Sequence, residues 1–121
     1  MNQASTVFAA ILHANGETQR RDFLLQAVED RIATMHLTRG TGYGILDVYI
    51  HAIRGDRDRA IAGLREAIDV GWRDASWFLR QDPKLASLQK DSEFNALVDE
   101  LEADILKQRQ WYEENKDKPL L

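Results

Sequence analysis

Asp47 and His51 stand four residues apart, a spacing that puts a carboxylate and an imidazole on one face of a helix. Such a pair can act as an acid–base couple or supply two ligands to a metal ion. A metal site takes three or four ligands, and His13 and His36 have no comparable partners. The pair therefore reads as an i,i+4 polar contact. The run Gly40-Thr41-Gly42-Tyr43-Gly44 has the glycine content of a phosphate-cradling loop, but no strand precedes it and it holds no Lys. It reads as a connection between helices. No Ser falls into a local motif with a His and an acid, and Asp99, Glu100, Glu102 and Asp104 read as a solvated helix face. The absence of cysteine removes thiol nucleophiles, thiolate metal sites and disulfides. The expectation is a protein that is not an enzyme and holds no metal or cofactor.

The elements that carry these residues are helical. Ser5 or Thr6 can cap a first helix that turns Val7, Phe8, Ile11 and Leu12 inward, and Asn15-Gly16 ends it. Thr18 can cap a second, with Phe23, Leu24, Ala27, Val28, Ile32 and Met35 at helical spacing as far as about His36. A third runs from about Gly44 to Arg54 with Ile45, Leu46, Tyr49, Ile50 and Ile53 apolar. Gly55-Asp56 then turns the chain into a fourth helix whose stripe is Ala60, Ile61, Leu64, Ala67 and Ile68, with Gly71 at its end. Residues 71–90 form a less regular connector, in which Asp74 can cap a short turn and Asp82-Pro83 breaks the chain. Asp91 can cap a closing helix to about Asn115, with Phe94, Leu97, Val98, Leu101 and Ile105 inward. At about 36 Å it is longer than two short hairpins can cover, so its last turns should overhang.

At 121 residues the chain suits one domain, and its 44% hydrophobic content is ordinary for a globular protein. No apolar run approaches a membrane span, and the N-terminus lacks the basic region of a signal peptide, so a cytoplasmic location is expected. The net charge of -4 is uneven: 12 basic and 11 acidic residues lie up to Lys90, against 4 and 9 from Asp91 onward. Nucleic-acid binding needs a basic patch, and Arg54, Arg57, Arg59 and Arg65 are interleaved with Asp56, Asp58 and Glu66. They read as a salt-bridged face.

Hairpins at about 5–37 and 43–70 compare with each other. Gly16 and Gly55 stand in equivalent turns, and Phe23-Leu24-Leu25-Gln26-Ala27-Val28 aligns with Gly63-Leu64-Arg65-Glu66-Ala67-Ile68 at an offset of about 40, the mark of a helical repeat. With Gly55 at the turn, Ala60 and Ala67 at small positions and Leu64 between them, the chain resembles tetratricopeptide repeat (TPR) proteins. Asp47, Val48 and His51 depart from the usual residues of the first helix of such a repeat. Residues 55–109 also resemble the C-terminal end of TPR regions in bacterial signalling proteins, which follow nucleotide-cyclase or winged-helix domains; the shared pieces are Gly71-Trp72-Arg73-Asp74, Asp82-Pro83 and Asp91-x-x-Phe94.

The resemblance implies an all-α, right-handed superhelix of two antiparallel hairpins, a connector and a long capping helix. It implies a protein-binding role, with a concave face lined by the first helix of each hairpin and, on the second, by Tyr43, Asp47, Ile50 or His51, and Arg54. Trp72, Trp77 and Phe78 are placed to seal the stack with Phe94 and Leu97, or to form a patch for a partner. Trp111 and Tyr112 on the overhang dock back, dimerise or meet a partner. Two other readings are homo-oligomerisation through Ile105, Leu106, Trp111 and Tyr112, and a small-ligand bundle using Asp47 and His51. The partner expected is a protein or a second copy, with no nucleic acid and no membrane.

Overall fold

Glycines in the left-handed conformation end three of the helices in the same way. At Gly16, Gly55 and Gly71 (φ 76°, 80° and 95°) the glycine N–H donates three residues back, and the next N–H donates five residues back. This double bond satisfies carbonyls that a helix end leaves orphaned, and residues with a Cβ resist the positive φ it requires. Aspartates open two of the later helices: the Asp56 carboxylate accepts from the Arg59 N–H and that of Asp91 from the Phe94 N–H, 3.3 and 3.1 Å.

The computed structural model describes residues 3–34, 44–73 and 76–119. The chain is all-α, with no strand among the described residues: α1 (Gln3–Ala14), α2 (Thr18–Thr34), α3 (Leu46–Arg54), α4 (Arg57–Asp69) and α5 (Ser92–Asn115). Between α4 and α5 lie two 3-10 segments, Ser76–Gln81 and Pro83–Leu88. Short turns let α1 pack on α2 and α3 on α4, while α5 packs on α4 and the first 3-10 segment. Met35, His36, the loop 38–42, Tyr43 and the Asp74 cap fall outside the described residues.

Two apolar cores share α3 as their common wall. On one side Ile50 and Ile53 meet Ala9 of α1 and Leu25 and Val28 of α2. On the other, Val48, Tyr49 and Ala52 meet the α4 stripe, Trp72, both 3-10 segments and Phe94, Leu97, Val98 and Leu101 of α5. The small residues Ala52, Ala60 and Ala67, all buried, allow close approach of α3 and α4, and Leu64 fills the space between.

In hairpin one Leu12 and Val28 are buried as expected, but α1 turns a different face inward. Thr6, Ala9 and Leu12 are the buried face of α1, while Val7, Phe8 and Ile11 are exposed; the helix begins at Gln3, so Ser5 and Thr6 lie within it and not at its start. The small side chains Thr6 and Ala9 bring α1 close to its neighbours, and the bulky ones point out. Phe23, expected inside, is exposed as well. Among the aromatics proposed to seal the second core, Trp72 and Phe94 are buried, Phe78 is half-buried and Trp77 is exposed, its ring tilted 57° against Phe78 at 5.5 Å.

Truncating Leu64 to Ala removes a fully buried side chain and should cost about 2–5 kcal/mol, whereas Phe23→Ser should stay within about 0.5 kcal/mol. Urea unfolding of both variants checks the assignment of inside and outside.

Candidate functional site

The residues singled out on the second hairpin do not form an open face. Asp47 and His51 occupy successive turns of α3 and are half-buried, and no group of three His, Asp or Glu gathers among the described residues. Ile50 is 1% exposed, part of the core with α1 and α2, and is not a surface contact. Arg54 forms an ion pair with Glu29 of α2 and donates to Gln26 at 3.4 Å, so it ties the two hairpins together. The α3 helix packs on α4, α1, α2 and the second 3-10 segment. The groove expected along it is filled.

What fills it is the connector. The Ser87 hydroxyl donates to the Ala52 carbonyl at 2.9 Å, and Leu85 and Leu88 enter the core. Asp82, 2% exposed, accepts from the Lys84 backbone N–H at 3.0 Å and pairs with the Lys84 ammonium at 3.1 Å, and its carboxylate lies near the Tyr49 hydroxyl. The same ammonium lies 4.5 Å from the centre of the Tyr49 ring. Burial first, and then the Asp82 carboxylate, push the Tyr49 hydroxyl well above the usual tyrosine range, so it stays a donor. A buried carboxylate is costly unless every lone pair finds a partner. No buried side-chain polar atom among the described residues lacks a partner, which makes this carboxylate a fastener rather than a reactive group.

The acidic face of α5 is solvent-exposed as expected, and arginines clasp it there. Arg65 of α4 holds Glu100 through two hydrogen bonds of 2.8 Å, and Arg73 holds Asp104 at 2.8 and 3.0 Å. Arg80 reaches Asp99 at 2.5 Å and Glu102 at 3.0 and 3.1 Å. Arg57 pairs with Asp91, the N-cap of α5, and with Glu93 at 3.1 Å. Between α4 and α5 runs an open groove of about 470 Å³ floored by Ile61 and Leu97 and flanked by Arg57 and Arg65, both of them paired.

Beyond Leu101 the closing helix loses its support. Asp104 and Ile105 are half-buried, and residues 106–114 are all exposed, Leu106, Trp111 and Tyr112 among them. Trp111 and Tyr112 thus stand on a projecting arm. Tyr43 lies outside the described residues. Sequence reasoning missed the outer face of α1, where Val7, Phe8 and Ile11 are 43%, 47% and 51% exposed.

Comparison with known protein families, with curated proteins and with solved structures returns no match. No helix among the described residues is long and apolar enough to cross a membrane.

Arg57, Arg65 and Arg73 hold Asp91, Glu100 and Asp104 below the usual carboxylate range, chiefly by hydrogen bonding. The unfolded chain therefore takes up protons first as the solution is acidified, and the folded chain loses stability as the pH falls through the depressed values. The urea midpoint should be level from pH 7 to about 5.5 and decline below about pH 4.5. In the Arg65→Gln/Arg73→Gln variant the decline should be shallower, as measured by urea titration across that range.

Proposed function

We propose that the chain is a cytoplasmic, non-enzymatic protein–protein interaction module, a TPR-like helical scaffold that takes a partner protein on the outer face of α1. The observation that carries this reading is that α1 is apolar on both sides. Ala9 and Leu12 are buried, while Val7, Phe8 and Ile11, at i, i+1 and i+4, form a second apolar stripe facing solvent. Exposed apolar surface grouped on one element is a feature of binding sites, whereas single exposed apolar residues are ordinary. Phe23 on the adjoining α2 adds a large aromatic, the residue class that anchors interfaces.

The likeness to the C-terminal end of TPR regions supports a place within bacterial signalling, where such a module would bring a regulator to its target. The distribution of charge supports a protein partner over a nucleic acid, since Arg54, Arg57, Arg65, Arg73 and Arg80 are each engaged by acidic side chains.

The test is affinity capture from an extract of the source cell. A Phe8→Gln/Ile11→Gln variant should lose the captured protein while keeping the wild-type unfolding free energy in urea within about 0.5 kcal/mol. Trp77→Ser should capture as the wild type does. Undiminished capture by the α1 variant, or loss with Trp77→Ser alone, rejects the α1 face as the binding surface.

A further inference from the structure

We draw no further inference here: the strongest candidate, the projecting end of α5 with Trp111 and Tyr112 exposed, is an unpartnered helix face, and nothing in the structure shows what covers it.

Discussion

The structure depends on α3 having no side to spare. One side of the helix delivers Ile50 and Ile53 to the first core and the other delivers Val48, Tyr49 and Ala52 to the second. The remaining approach is covered by the second 3-10 segment, held in place by the Ser87 hydroxyl on the Ala52 carbonyl and by the Asp82–Lys84 pair, whose ammonium lies over the Tyr49 ring. Desolvating the Asp82–Lys84 pair is worthwhile only while both are present, because removal of one leaves the other buried and unpaired. The connector is thus a fastened part of the fold. Its position decides which surfaces are left for function.

With α3 enclosed, available apolar surface is displaced outward. Hairpin one, held to α3 through its own core and through Arg54 and Glu29, turns its bulkiest α1 side chains to solvent. At the other end of the chain, arginines from α4, the turn after it and the first 3-10 segment clamp α5 along Asp91 to Asp104 and then release it. Individually such exposed pairs contribute little, but they fix the azimuth of the helix and so the direction in which Trp111 and Tyr112 are presented.

Much of the scaffold was legible in the sequence because its signals are local. The glycines at helix ends, the Asp56 and Asp91 caps and the single α4 stripe each act within a few residues. The facing of α1 was not legible for a physical reason: from Val7 to Leu12 every residue is apolar, so no stripe is unique, and choosing the largest side chains picked the wrong side. Ile50 was assigned to a surface by likeness to repeats whose first helix lines an open groove, and here the connector and hairpin one close that space. The joining of Tyr49 to Asp82 and Lys84 spans more than thirty residues, and Asp82-Pro83 reads locally only as a chain break. The arginine partners of the α5 acids are equally remote, so those acids read correctly as exposed but without their partners.

Hydrogen exchange measured by mass spectrometry bears most directly on the enclosed α3. Amides of 46–54 and of 83–88 should exchange together and as slowly as those of α4, through global unfolding alone. Fast exchange across 83–88, at the rate of an exposed loop while α3 and α4 remain protected, would show that the connector is not fastened and that the α3 face is open to a partner after all.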